Sequence, residues 1–455
     1  MTRLAAHLND AGITLLDGER ILYREPGFAF LDGDRLATGN EALANARIHP
    51  RRVQHRFWKD LDAEPLADRR FGHLSPADLA SRQLEQMWSA AGGASELVLA
   101  VPAYMQAGEL GLLLGIAGEL KLPVVAMVDS AVAATRREYR NAVPVHVDLG
   151  LHAAILTRLS QHGHAQVERV EVLDDCGTYA LYDAWLNAVA EVFVQQSRFD
   201  PLYDAETEQL LLDKLPDWLA ISAAREAVSL QLEYRGVEHR ADIESLALVG
   251  AAAPFYQRIA SKLRALFRAD ETPAIQVTDR IVRLPGLADM LKARVGGEVF
   301  GLEPGATARG ALARCREVAR AGTAVGLRRQ LPWDQAPVAV ERDEAAAASG
   351  GVPTHLLFGD TAWRVDDSLL VIGSQAGEGE RSIAVGSDMP GVSRRHCSVR
   401  RQNGQCVLED HSRYGTFLNG HRIEGSTVLR IGDAVRIGSP GFEFLMITTD
   451  ETHGT

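Results

Sequence analysis

From Leu370 to Gly438 the chain reads LVIGSQAGEGERSIAVGSDMPGVSRRHCSVRRQNGQCVLEDHSRYGTFLNGHRIEGSTVLRIGDAVRIG. Apolar and polar residues alternate over short stretches, and Asn403-Gly404 and Asn419-Gly420 are pairs that close tight hairpins. A period of two turns one face of each strand inward and leaves the other in water. Several such strands between regular turns predict an antiparallel β-sandwich, with limits at residues 354–449 and a short tail at 450–455.

Just upstream, LRRQLPWDQAPVAVERDEAAAASGGVP mixes proline, charge and a run of small residues with no sustained apolar period. That texture predicts a flexible linker over residues 326–353. The preceding residues read differently again. LVLAVP (97–102), PVVAMVD (123–129), VPVHVDL (143–149) and SLALVG (245–250) are nearly continuous apolar runs, as expected of strands covered on both faces. Residues 107–120, 180–196 and 255–267 carry helical spacing, so residues 1–325 predict a layered α/β domain in a multidomain chain.

Composition bounds the function. The 455 residues are 46% hydrophobic and 24% charged, which excludes a disordered, collagenous or coiled-coil protein. With 48 Lys+Arg against 60 Asp+Glu the formal net charge is −12, so no bulk attraction to nucleic acid or anionic lipid is expected. The basic cluster Arg394, Arg395, Arg400 and Arg401 lacks interleaved aromatics and reads as a solvated strand face, not a nucleic-acid site. The most apolar stretches (110–117 and 246–256) are too short to span a bilayer, and MTRLAAHLND lacks the apolar core of a secretion signal. No membrane insertion and a cytoplasmic location are therefore expected. Four cysteines without a Cys-x-x-Cys pair argue against a disulfide framework and a structural zinc site, and no metal ligands are assigned.

The order Gly373, Ser393-x-x-His396, Asp410-x-Ser412, Gly415-Thr416 and Asn419-Gly420, with Gly432-Asp433 beyond, resembles a forkhead-associated (FHA) domain. The resemblance implies recognition of a threonine-phosphorylated protein by loops at one end of the sandwich. On that basis Ser393, Arg394, Ser412, Arg413 and Tyr414 are the expected phosphopeptide contacts. Gly373, His396, Gly415, Thr416 and Asn419 are the expected structural positions. The chemistry is consistent: a phosphate of about −1.5 to −2 charge needs a hydroxyl, backbone amides and a guanidinium on anchored loops. Two departures stand out. Gly373 is followed by Ser374 where the family has an arginine that forks onto phosphate, with Arg381 a candidate substitute; and Tyr414 stands where the family commonly has asparagine.

Residues 96–139, ELVLAVPAYMQAGELGLLLGIAGELKLPVVAMVDSAVAATRREY, together with Val147–Gly150, Leu248–Gly250, Gly301–Pro304 and Gly310-Ala311, resemble the nucleotide-binding domain of DnaK-type heat-shock chaperones. That resemblance implies an actin-like ATPase (ribonuclease H-like) fold, with ATP and Mg²⁺ as possible cofactors. Lys59, Asp129 and Asp148 fall at the catalytic lysine and carboxylate positions, and Asp148, Gly150 and Gly250 at nucleotide-binding ones. The phosphate-binding stretches, however, are eroded. Asn9-Asp10-Ala11-Gly12 reads as a plain hairpin turn, Leu151-His152 stand where glycines are needed, and Gly250-Ala251-Ala252-Ala253-Pro254 has lost its hydroxyls. Asp129 as a helix cap, Asp148 as a strand end and Lys59 as a surface charge is the plainer reading of the same residues.

Two functions follow from these resemblances. The first is a signalling adaptor, whose FHA domain binds a phosphothreonine peptide while a pseudo-ATPase domain docks a second protein. The alternative is an active ATPase whose nucleotide state gates partner binding.

Overall fold

Near the N-terminus, β1 (Arg3–His7), β2 (Ile13–Asp17) and β3 (Arg20–Glu25) form an antiparallel meander. Its second turn relies on Gly18 at φ +58, a conformation costly for a residue with a Cβ. β4 (Glu96–Val101) joins β1 in parallel, and the Ala107–Glu119 helix crosses over to β5 (Val124–Asp129), parallel to β4. The pattern then repeats. β6 (Val143–Leu149), β7 (Ala153–Gln161) and β8 (His164–Asp174) form a second meander, β9 (Pro273–Val277) pairs in parallel with β6, and β10 (Glu298–Gly301) with β9. Two mixed sheets whose five strands named here follow the same order thus lie in one unit, their crossovers supplied by helices.

This computed structural model describes residues 2–33, 35–268, 271–318, 325–340, 353–358, 361–375, 381–385, 391–418, 421–431, 433–438 and 441–447. The chain divides into two units, Met1–Leu266 with Thr272–Val340, and Phe267–Glu271 with Glu341–Thr455. The first unit runs past the expected boundary at 325. Leu327–Arg328 pairs with β5, Gln330–Pro332 with β8, and Val338–Ala339 with Tyr139–Arg140. Leu327–Arg328, Gln330–Pro332 and Val338–Ala339, expected within a linker, are short strands in a segment that buries Leu331 and Val340 in that unit. Asn419, Gly420, Gly432, linker residues 341–352 and the tail at 450–455 lie outside the described residues.

One predicted strand is a helix. SLALVG begins the Ser245–Arg264 helix, which buries Leu248, Ala252, Tyr256, Ile259 and Leu263, a spacing of three to four along one face. Gly250 is thus an exposed residue inside a helix and not part of a loop.

In the second unit, one sheet holds Arg381–Ala384, Leu370–Gly373, Cys397–Gln402, Gln405–Asp410 and Ser426–Leu429. The other includes His355–Phe358, Ala434–Ile437 and Phe442–Ile447. Ile372, Val399 and Leu408 of the first sheet and Leu356, Val435 and Phe444 of the second share one core. Phe444 and Met446 are buried whereas Leu445 between them is exposed, the alternation expected of a sandwich strand. Asn403 (φ +52) and Gly404 (φ +77) make the expected tight hairpin.

Candidate functional site

Two loops of the second unit, residues 391–396 and 411–416, carry the expected phosphopeptide residues. Gly373 lets them approach the sheet: a Cβ there would stand 1.9 Å from the Arg394 carbonyl oxygen, and the Ser374 amide donates to the Ser393 carbonyl at 3.1 Å. His396 is fully buried between the loops. Its Nδ1 accepts from the Ser393 amide at 3.1 Å and its Nε2 faces the Gly415 carbonyl at 3.3 Å. A carbonyl only accepts, so Nε2 carries the proton and the ring is neutral. Burial lowers its pKa, against the opposing pull of the Gly415 carbonyl and Asp410.

The second loop is tied by its own side chains. Asp410 accepts from the Ser412 amide at 3.0 Å and the buried Thr416 hydroxyl at 2.7 Å, and Ser412 Oγ accepts from the Gly415 amide at 2.7 Å. The loops meet where the Arg413 amide donates to Ser393 Oγ at 3.3 Å. With its oxygen engaged, the Ser393 hydroxyl keeps its proton to donate outward. Arg394, Arg413 and Tyr414 are exposed, the Arg413 guanidinium lying 5.8 Å from the Tyr414 ring centre. Neither arginine has an ion-pair partner among the described residues. Arg381 is no substitute for the missing arginine at 374. Its guanidinium bonds Asp366 at 2.5 Å, Ser368 Oγ at 2.8 Å and the Arg364 carbonyl at 2.6 Å, all on the segment before the Leu370 strand.

In the first unit, Asp148 ends β6 almost fully buried. It accepts from Asn9 Nδ2 (2.7 Å), Thr278 Oγ1 (3.0 Å), its neighbour's amide at Leu149 (2.9 Å) and Arg280 Nη1 (3.3 Å). Burial opposes its ionisation, but Arg280, His7, His146 and Asn9 together hold its carboxyl below the ordinary value. Arg280 Nη1 also donates to the Leu149 carbonyl at 2.7 Å. The Leu151 amide donates to Asp10 Oδ1 at 2.8 Å, and a Cβ on Gly150 would stand 2.6 Å from that same oxygen. The β1–β2 turn thus plugs the β6–β7 turn. The cavity lined by His7, Arg24, Asp148, Thr278 and Arg280 measures about 20 Å³, room for about one water.

Asp129 and Lys59 have separate roles. Asp129 caps the Ser130–Ala134 helix through the Ala131 and Val132 amides at 2.9 and 3.3 Å, and burial pushes its carboxyl up to about 6 against those amides. Lys59 pairs with Asp174 at 3.3 Å and lies 4.8 Å from the Tyr104 ring centre. Neither shares a hydrogen-bond partner with Asp148. The residues present do not fit Mg–ATP: a guanidinium sits on the carboxylate that would face the metal, a carboxylate takes the amide a phosphate would need, and Gly250 lies within a helix. Asp10, Thr278 and Arg280 are not marked by the sequence, because Asp10 sits in an ordinary-looking turn and Thr278-Asp279-Arg280 matches no phosphate-loop pattern.

Residues 370–438 match the family model of the FHA domain, so the second unit contains an FHA domain. The match does not extend to the first unit. A search of curated proteins finds no match to the chain. Among the described residues, no helix is long and apolar enough to cross a membrane, and no three His, Cys, Asp or Glu side chains are grouped to hold a metal ion.

Proposed function

We propose that this chain is a signalling adaptor whose FHA domain reads a phosphothreonine peptide, while its first unit serves as a docking body for a second protein. The observation that carries it is the joined pair of loops in the FHA domain. These loops carry the Ser393 and Ser412 hydroxyls and the exposed Arg394 and Arg413, neither arginine with an ion-pair partner among the described residues, and a neutral histidine fixes both loops. A phosphate takes charge-assisted hydrogen bonds from such a set. Without the arginine that Ser374 replaces, affinity is lower by about 1.5 to 3 kcal/mol, the range for a hydrogen bond to a charged group. That is about ten- to a hundredfold.

For the first unit, the repeated strand order supports an actin-like ATPase fold, and the plugged turns support a scaffold that works without nucleotide. Four free, buried cysteines suit a reducing, cytoplasmic setting.

Calorimetric titration of the full chain with a threonine-phosphorylated peptide library and its unphosphorylated twin tests the reader. Phosphate-dependent binding lost in Ser393→Ala is expected; equal binding of the twins would overturn it. Titration with ATP at millimolar concentration in Mg²⁺ is expected to show no binding heat, and saturable binding abolished by Asp148→Ala would overturn the scaffold reading.

A further inference from the structure

In the first unit, the end of the Ala205–Ser222 helix, the open end of the Ala227–Tyr234 and Val237–Glu244 hairpin, the start of the Ser245–Arg264 helix, and Pro285-Gly286 with the first turn of the Leu287–Val295 helix line a groove of about 630 Å³. Its apolar lining includes Leu246, Val249 and Pro285. Leu246 is 75% exposed. It sits two residues from buried Leu248, about 200° around the helix, so the fold's own core gives it no role. Val249, by contrast, packs on Gly286, where a Cβ would meet its methyl at 2.9 Å.

The polar lining has one sign. Glu226, Glu244 and Asp289 line the groove, no lysine or arginine does, and none of the three carboxylates has an ion-pair partner among the described residues. Negative charge without cation partners around a large exposed apolar side chain disfavours an anionic ligand or surface, and favours an apolar segment that brings its own cations.

We propose that this groove docks a segment of a second protein that seats an apolar side chain against Leu246 and flanks it with lysine or arginine. The proposal rests on the docking role assigned to the first unit and not on phosphopeptide recognition. Its failure would leave Ser393-dependent binding as it is.

The test uses the full chain and a short fluorescein-labelled peptide of leucine and alanine flanked by lysines, with a glutamate-flanked twin. Fluorescence anisotropy is expected to show saturable binding of the lysine peptide alone, weakening as salt rises. Leu246→Ser should weaken it roughly tenfold or more, the worth of one buried leucine, and the double charge reversal Glu226→Lys/Asp289→Lys should act in the same direction. All three side chains are exposed, so the Leu246→Ser melt should match the parent, and the charge reversal should lose only the small contribution of Asp289 to the first turn of the Leu287–Val295 helix. Equal binding of the twins, or unchanged affinity in both variants, overturns the proposal. So does concentration-dependent dimerisation by sedimentation that Leu246→Ser abolishes, since the occupant would then be a second copy of this chain.

Discussion

Ser374 occupies the point where the Gly373 crossing meets the Ser393 loop, its amide bonded to the Ser393 carbonyl and its side chain partly exposed. Returning an arginine there adds a guanidinium to the set formed by Arg394 and Arg413 without disturbing the buried His396. Ser374→Arg should therefore tighten phosphopeptide binding about ten- to a hundredfold by calorimetry, with no gain for the unphosphorylated twin. An unchanged affinity would show that phosphate does not bind near this position. Arg280 is a residue-scale case of the opposite kind. It compensates Asp148 in a nearly dry site, so Arg280→Ala strands a buried carboxylate and should destabilise the first unit by about 3–5 kcal/mol in urea denaturation. A loss under about 1 kcal/mol would mean that Asp148 is satisfied by Asn9 and Thr278 alone. The two sites differ in how far the sequence reveals them. The expected FHA contacts lie in one stretch of sequence and are of recognisable types, whereas Asp148 meets Arg280 across 132 positions and Leu151 meets Asp10 across 141. No local pattern announces such pairs.

Among the elements, the Ser245–Arg264 helix shows where periodicity misleads. Six apolar or small residues in a row suit a central strand, and only the continuation through Ala252, Tyr256 and Ile259 reveals the helical face. Pro254 obscures it further, because a proline inside a helix lacks the amide that would bond the carbonyl four residues back, which is that of Gly250. At an exposed helical position where an added Cβ would meet no atom within 4 Å, alanine is the better residue. Gly250→Ala should raise stability by about 0.5–1 kcal/mol by thermal or urea denaturation. Destabilisation would instead mean that Gly250 holds a backbone conformation alanine cannot adopt. The strands at Glu96–Val101, Val124–Asp129 and Val143–Leu149 and the Ala107–Glu119 and Thr178–Ser197 helices are legible, since their apolar runs and helical spacing are unbroken, whereas Arg20–Glu25 and His164–Asp174 interleave charged residues and are not marked.

On the scale of the whole chain, two sheets of like strand order leave no short repeat in the sequence. Their strands recur in topology while the inserts between them differ: β3 and β4 are separated by a small sheet and short helical segments besides the Pro76–Ser89 helix, β8 and β9 by three helices and a hairpin. A chain-wide property also follows from its buried and half-buried histidines. Burial lowers His7 and His55 to about 4, and lowers His146, His152 and His396 as well. For each, the unfolded chain binds a proton below about 6.5 that the native state resists. This contribution is therefore intact above about pH 6.5 and is lost as pH falls toward the folded value. By pH 5, His7 and His55 each cost about 2 kcal/mol. Asp129 works in the other direction. Its carboxyl, raised to about 6, binds a proton in the native state before the unfolded chain does, so acidification from pH 7 to 5 relieves about 1 kcal/mol. The histidines outweigh it, and the unfolding midpoint should fall between pH 7 and 5. Asp129→Asn, which removes the opposing contribution but keeps an acceptor for the Ala131 and Val132 amides, should steepen that fall. A midpoint that rises on acidification would show that these imidazoles are protonated in the folded protein, which would require carboxylate partners beyond the 3.6 Å approach of Asp148 to His7.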